Sequence, residues 1–439
     1  MTKILQLKTL PLQAHGWIGG ASALIFLAAF FALTQTEPQS WNDISRIAAI
    51  ESVVERGTWS IDGSSWLDET RDKVLLDGKY YSDKMPLLTL IAAAIYAPMR
   101  QVVGASLAPG AQPVCGYFWL TLILVGLPAA LMIGIFTIYA LRQSSFWSAL
   151  VGALALGLGT MIFPYALVLN HHVPAAVVLF TSFFILLPRP RISSGWLVVA
   201  GLLDTLAISF DIITFITAAA LVGIALVRYR SKFVYFALGA AIPLAVTALL
   251  DFQITGTLLP PYMIPGGYAY PDSAFPATFG GNGTPDDYAA YAFRMFLGGR
   301  GLFAYNPLLL LALVGAFVVL FNRRHTLRVE AFCVIFSFIA QALYLALFTG
   351  NYGGAAYGER WFVAAIPMLF AFIFFAPPLS AATWKNAGWV GFAPLLILSI
   401  LSSLQGAQHP WQEILPPWQM TRDVNHLPIF GFKWNGTLP

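Results

Sequence analysis

Charge is scarce in this chain. Asp, Glu, Lys and Arg make up 10% of its 439 residues, whereas soluble domains carry about 25%. Hydrophobic residues account for 58% of the chain, and the mean hydropathy is +0.72. A surface this apolar would not stay dissolved in water. The composition therefore excludes an ordinary soluble protein and predicts an integral membrane protein.

Cysteine is almost absent as well. Cys115 and Cys333 are the two cysteines, and both fall in apolar runs where a thiol behaves as a small hydrophobic side chain. No residues near them have metal-ligand spacing, so neither a disulfide framework nor a cysteine metal site is expected. The net charge of +4 does not indicate a nucleic-acid partner, because cytoplasmic loops of membrane proteins concentrate Lys and Arg.

Long apolar runs are abundant. A helix needs about 20 apolar residues to cross the hydrocarbon of a bilayer, and about eleven runs approach that length. They are residues 16–34, 114–141, 147–167, 172–187, 195–210, 212–227, 233–250, 303–321, 330–349, 360–376 and 386–404.

The positions of the basic residues predict how the predicted helices are oriented across the membrane. If Lys3 and Lys8 lie in the cytoplasm, alternation places most later Lys and Arg residues on the same side, as the positive-inside rule requires. The opposite loops around 168–171, 211, 251–302 and 350–359 hold only Arg294 and Arg300, with Arg360 at a boundary. We therefore predict one all-α polytopic domain in the inner (cytoplasmic) membrane of the cell. It comprises residues 1–439, with outer loops 35–113 and 251–302 and an outer tail 405–439.

Residues 86–103 form an apolar run that this count leaves out. A further span at this point would invert every later loop and break the agreement with the basic residues. We interpret the run as a juxtamembrane helix on the outer surface.

Residues 35–85 gather half of the acidic residues of the chain, together with six bases. The segment opens with apolar residues at helical spacing and interleaved charges, which predicts an amphipathic helix that stops at Gly57. A strand-like stretch around residues 72–84 follows. The segment is therefore an organised polar unit.

Several motifs in the chain resemble those of a known superfamily. The first outer loop carries I-S-R at 44–46, G-x-W at 57–59 and G-x-Y-Y-S-D-K-x-P at 78–86. These resemble the first loop of the GT-C glycosyltransferases, and most closely the bacterial family 39 type, which includes protein O-mannosyltransferases and lipid A aminoarabinose transferases. The segments GLFAYNPLLLLAL at 301–313 and NYGGAAYGERWFVAAIP at 351–367 agree with it.

The resemblance implies a GT-C-like fold with juxtamembrane helices in the first loop and an active site outside. It also implies a polyprenyl-phosphate-linked sugar donor that enters from the membrane lipids, and transfer with inversion. The acceptor could be a lipid, a glycan or a protein. No cofactor is implied with certainty, although a divalent metal is possible.

Asp43 matches the carboxylate that acts as general base in the family. An alcohol attacks a sugar carbon poorly unless its proton is removed. The competing interpretation is a capping box, in which Ser40 and Asp43 close the start of a helix. Many relatives have Asp-Glu at this point, whereas Asn42-Asp43 supplies one acid, so Glu37 is an alternative base.

Three basic residues are candidates for the donor phosphate. Lys84 has the setting of the family K-P pair, here interrupted by Met85, and its alternative role is to reach the lipid headgroups. Arg46 lies one helical turn from Asp43 and could pair with it or hold phosphate. Arg360 has the Y-G-x-R setting of the family and a fork of donors suited to phosphate. Its neighbour Glu359 is a candidate for the substrate cavity, as is Glu37. The competing interpretation is that Glu359 and Arg360 form an ion pair that closes the helix end.

Three further residues near the outer ends of spans are candidates for lining a cavity. Asp211 stands alone between two apolar runs, and an acid at membrane depth usually faces a polar cavity. His171 and His172 are interpreted as interfacial residues without a metal, with His172 as a cavity candidate, because adjacent histidines on a helix face different ways. Asp204 is a weaker case.

Two other functions compete with glycosyl transfer. A transporter or flippase of a lipid-linked sugar would also need a polar cavity, but it should show inverted repeats and broken helices, which the sequence does not contain. A catalytically inactive GT-C relative is the other alternative.

Overall fold

A computed structural model of the protein describes residues 11–110, 116–275, 287–298, 301–350, 352–377 and 388–412, with short pieces at 426–427 and 432–433. Most of the described chain is helical, with very little β-sheet. The α-helices are α1 (Leu12–Leu33), α2 (Trp41–Glu51), α3 (Pro86–Val103), α4 (Gly116–Thr121), α5 (Leu127–Gln143), α6 (Phe146–Leu158), α7 (Ile162–Tyr165), α8 (His172–Leu186), α9 (Ser194–Phe210), α10 (Phe215–Arg228), α11 (Phe233–Thr255), α12 (Tyr288–Phe296), α13 (Leu302–Tyr305), α14 (Leu308–Phe321), α15 (Arg328–Phe348), α16 (Ile366–Phe370) and α17 (Gly388–Gln408).

Tighter or wider helical turns join several of these helices. The π-helical turns Ser52–Arg56 and Leu122–Gly126 extend α2 and link α4 to α5. The 3-10 turns are Ile212–Thr214, Arg230–Lys232, Pro261–Met263, Arg360–Ala365 and Ile373–Phe375. One hairpin, β1 (Lys73–Leu76) with β2 (Lys79–Ser82), lies in the first outer loop, and the pair His426–Leu427 with Phe432–Lys433 lies in the tail.

The membrane character that the composition predicts is confirmed. Among the described residues, six helices are long and apolar enough to cross a bilayer, and six further apolar helices have 10–17 residues. The chain is a multi-pass integral membrane protein. Two predicted spans are broken rather than continuous: 147–167 divides at Gly159 into α6 and α7, and 360–376 is a series of short 3-10 and α turns.

Helix α3 meets the length and hydropathy of a span, yet the chain after it returns to the first outer loop. The indole of Trp66 donates a hydrogen bond of 2.7 Å to the carbonyl of Leu107. Tyr96, in the middle of α3, donates to the carboxylate of Glu55 at 2.9 Å. Because the middle of α3 and the segment that follows it both contact this loop, the contacts favour the juxtamembrane placement, which stays a prediction.

Helices α9 and α11 cross in direct contact. A Cβ atom on Gly201 would lie 1.9 Å from the carbonyl oxygen of Phe236, and one on Gly239 would lie 1.9 Å from that of Val198. Backbone therefore packs directly on backbone, as small residues allow in membrane helices. Thr205 adds a hydrogen bond of 2.7 Å to the carbonyl of Ala240. This crossing fixes the end of α9, where Asp211 follows.

Replacing Gly201 by alanine should destabilise the protein by about 1–3 kcal/mol, because overpacking forces backbone apart. The matched control is Gly16→Ala, since a Cβ there meets no atom within 4 Å; it should keep or slightly raise stability. Thermal unfolding in detergent measures both. Equal midpoints for the two variants would contradict the packing described.

Candidate active site

A cavity of about 1140 Å³ lies where the ends of α8, α9, α15 and α17 meet the first outer loop. Loop residues 262–275 cover it, and its wall combines polar and apolar side chains. The charged and imidazole groups that line it are Arg46, Glu69, Asp72, Asp83, Lys84, His171, His172, Asp211 and Arg360. Residues from distant parts of the sequence therefore share one site.

A continuous polar chain crosses the inner wall of this cavity. The guanidinium of Arg46 contacts Nδ1 of His171. Nε2 of His171 lies 3.5 Å from Oδ2 of Asp211, and Nδ1 of His172 lies 2.9 Å from the same oxygen. Asp211 can hold this position because α9 ends at Phe210 and leaves it in an extended conformation.

Burial shifts the pKa values of the side chains in this row of polar groups. It lowers the pKa of Arg46 to about 10, against the raising effect of Asp83 and Asp211, so the guanidinium stays charged at neutral pH. Burial, followed by the neighbouring His172 and Arg46, lowers the pKa of His171 well below its usual range. His171 is therefore neutral at pH 7.

Lys84 lies between two carboxylates. Its Nζ is 2.5 Å from Oδ2 of Asp72 and 2.9 Å from Oδ1 of Asp83. Tyr268 of the second outer loop donates to Asp83 at 3.1 Å. Burial raises the pKa of Asp83, opposed chiefly by the charge of Lys84. The amine of Lys84 is thus already paired with two carboxylates of the protein.

Arg360 has a different environment. Its guanidinium carbon lies 5.3 Å from the ring centroid of Trp411, a cation-π contact. Gly353 and Gly354 have positive φ values of 78° and 77°, and a Cβ on Gly353 would lie 3.3 Å from the side chain of Arg360. The glycines therefore let the loop bend closely over the guanidinium.

Asp43 lies outside the cavity wall. It is 0% exposed, and its carboxylate accepts hydrogen bonds from the backbone of Gln39 and Ser40 and from the hydroxyl of Tyr117 at 3.1 Å. Ser40 and Asp43 form the complete capping box of α2. Burial raises the pKa of Asp43, while four hydrogen bonds lower it. The capping interpretation is confirmed, and the position does not fit a base that reaches into this cavity.

The structure brings together some of the predicted site residues and separates others. Arg46, Lys84, His172, Asp211 and Arg360 line the cavity. Glu37 is exposed and Glu359 is fully buried, and neither lines it. Asp204 is buried within α9, away from the cavity wall.

The sequence interpretation missed Asp72, Asp83 and Trp411 as members of the site. A signal for the two acids was present, because Asp77-Gly78 is a two-residue hairpin turn. Counting back from that turn pairs Lys73 with Ser82 and brings Asp72 next to Asp83. No local motif distinguishes Trp411 from the other tryptophans of the chain.

One set of residues has spacing that could admit a metal ion. Donor atoms of His171, His172 and Asp211 lie within 4.8 Å of one another. The guanidinium of Arg46 contacts this set, however, and would repel a divalent cation. The 2.9 Å separation of Nδ1 and Oδ2 is a hydrogen-bond distance. The residues therefore fit a hydrogen-bonded chain better than a metal site.

Comparison with solved structures identifies the fold. The chain superposes on ArnT from Cupriavidus metallidurans bound to undecaprenyl phosphate with a TM-score of 0.55 and 18% identity, over 87% of this chain and 64% of that one. The apo ArnT structure gives a TM-score of 0.55 and 17% identity, over 87% and 63% of the two chains. This chain thus spans less than two thirds of ArnT.

The other comparisons add little. The apo oligosaccharyltransferase of Archaeoglobus fulgidus matches 91% of this chain and 56% of that one at 12% identity, with a TM-score of 0.43. No protein-family profile and no curated protein sequence matches the chain. The chain has the fold of ArnT, in agreement with the GT-C-like fold that the resemblance of the loop motifs implies.

Asp43→Ala should destabilise the protein by about 0.5–2 kcal/mol, the usual cost of losing a helix cap. Ser40→Ala should have a similar effect, because each residue completes the box of the other. The control is Asp68→Ala, an exposed acid of the same loop. Thermal unfolding in detergent measures all three, and equal stability of the Asp43 and Asp68 variants would contradict the capping role.

Proposed function

We propose that this protein is a glycosyltransferase that moves a sugar from a polyprenyl-phosphate carrier to an acceptor on the outer side of the inner membrane. One observation carries the proposal. Nη1 of Arg46 and Nε of Arg360 are buried and have no hydrogen-bond partner among the described residues. Both groups line the same cavity.

Buried guanidinium donors without acceptors are costly. A phosphate oxygen is the acceptor that a guanidinium fork binds best. Two such groups in one cavity suit the phosphate of the donor, and they would neutralise the charge that develops on it as the sugar leaves. In this proposal Arg46 and Arg360 are the phosphate ligands.

Lys84 contributes less to phosphate binding than its place in the family motif implies. Asp72 and Asp83 already pair with its one positive charge. The trio therefore suits the hydroxyl groups of a sugar better than a second anion. Lys84 chiefly keeps two adjacent carboxylates together.

The apolar side of the cavity supports a lipid carrier. Tyr344 and Phe348 line the cavity and are 37% and 62% exposed at the end of α15. In a membrane helix such exposed rings face lipid, so a prenyl chain could lie along them while its phosphate reaches the arginines. ArnT, which shares the fold, has been crystallised with undecaprenyl phosphate.

Incubation of the purified protein with radiolabelled undecaprenyl-phosphate sugars tests the reaction. We expect release of undecaprenyl phosphate with at least one sugar of the panel, increased by extracts that contain an acceptor, and inverted configuration at the transferred carbon. Movement of an intact lipid-linked sugar across proteoliposomes without its cleavage would instead support a transporter.

Arg360→Gln should weaken binding of undecaprenyl phosphate by about 10- to 100-fold, since a hydrogen bond to a charged group contributes about 1.5–3 kcal/mol. The control is Arg294→Gln, an exposed arginine of α12 outside the cavity. Titration of detergent-solubilised protein with undecaprenyl phosphate measures both. Unchanged affinity in the Arg360 variant would remove it from the phosphate site.

A further inference from the structure

The proposed transfer needs a base, and neither Asp43 nor the alternative Glu37 lines the cavity. We propose that His172 is the general base that takes the acceptor proton, with Asp211 as its positioning residue. This inference rests on the proposed function. It concerns one imidazole nitrogen, Nε2 of His172, which is buried and has no hydrogen-bond partner among the described residues.

The hydrogen bonds determine the protonation of both histidines. A guanidinium only donates hydrogen bonds, so Nδ1 of His171 must accept from Arg46, and its proton lies on Nε2, towards Asp211. A carboxylate only accepts, so Nδ1 of His172 donates to Asp211 at 2.9 Å. Nε2 of His172 is then left with a lone pair, which is the state a general base requires.

In this arrangement the carboxylate of Asp211 positions the imidazole of His172, which acts as the base. Asp211 fixes the tautomer and orientation of the imidazole and stabilises the imidazolium after proton transfer. His171 cannot take the same role, because both of its nitrogens face protein groups. His172 is 1% exposed and borders the cavity that the two arginines also line, so an acceptor hydroxyl beside the phosphate site could reach it.

The acceptor oxygen forms a bond to the anomeric carbon of the sugar while the bond from that carbon to the phosphate oxygen breaks. The bonding electrons leave with the phosphate, as polyprenyl phosphate held by Arg46 and Arg360. The acceptor proton moves to Nε2 of His172 and passes to solvent when product leaves.

The main test is His172→Ala with imidazole rescue. Using the undecaprenyl-phosphate sugar that the wild type turns over, we expect kcat to fall about 100- to 10,000-fold, the range for loss of a general base. Affinity for undecaprenyl phosphate should change less than threefold. Added imidazole should restore part of kcat, because the cavity can admit it.

Controls separate catalysis from folding. His325→Gln removes a histidine at the opposite end of α15 and should keep full activity. His172→Gln, which keeps a polar group of similar length, covers the case in which the alanine variant does not fold. It should bind undecaprenyl phosphate normally and remain slow, without response to imidazole.

The pH profile tests the positioning role. Asp211, His171, Arg46 and Arg360 are the charged or titratable groups that act on His172. Wild-type kcat should fall at low pH as the base becomes protonated. Asp211→Asn removes the charge that favours the imidazolium, so the acid limb should move to lower pH and the plateau should fall. If Asp211 had only a structural role, the acid limb of the kcat profile would stay at the same pH.

Three results would overturn the inference while leaving the proposed function intact. They are kcat within threefold of wild type in the His172 variants, loss of undecaprenyl phosphate binding without imidazole rescue, and activity that depends on a divalent cation and disappears in chelator. A wild-type protein that neither binds undecaprenyl phosphate nor cleaves any sugar of the panel would instead contradict the proposed function.

Discussion

The structure depends on one constraint, which is that a charged group cannot face hydrocarbon without a partner. With 10% charged residues in 439, the chain can satisfy this rule by collecting charges where helices end. Asp211 is an example. Helix α9 ends one residue before it, and its carboxylate contacts two histidines instead of lipid. The polar cavity is thus the consequence of several helices that break at one surface.

Within the cavity, the same constraint sorts the cations into two kinds. Lys84 is matched by Asp72 and Asp83, whereas Arg46 and Arg360 each keep a buried donor without a partner among the described residues. A paired cation organises the protein, and an unpaired donor suits a ligand. In the sequence alone, Lys84, Arg46 and Arg360 look equivalent because each carries one positive charge. Their different roles follow from which acids the fold brings close.

The sequence was sufficient for the class of protein, a multi-pass membrane protein, and for the polar first loop and the fold, because apolar length and loop motifs are local signals. The direction of the helices stays a prediction. The sequence also identified five residues that line the cavity, among them Asp211 and Arg360. It could not tell that Asp43 is turned away, since the pattern S-x-x-D fits a cap and a catalytic loop equally well. Nor could it give Trp411 a place beside Arg360, a contact between residues about fifty positions apart.

The position of Asp43 also bears on which base the site can use. Burial raises the pKa of Asp43, but its carboxylate already accepts hydrogen bonds from the backbone of Gln39 and Ser40 and from the hydroxyl of Tyr117. To accept a proton from an acceptor hydroxyl, it would have to release Ser40 and Tyr117 and leave the cap of α2. Arg46 lies on that same helix, one turn further on, so loss of the cap would disturb the phosphate site as well. A base on α8 avoids this conflict, because His172 keeps its hydrogen bond to Asp211 while its other nitrogen accepts the proton.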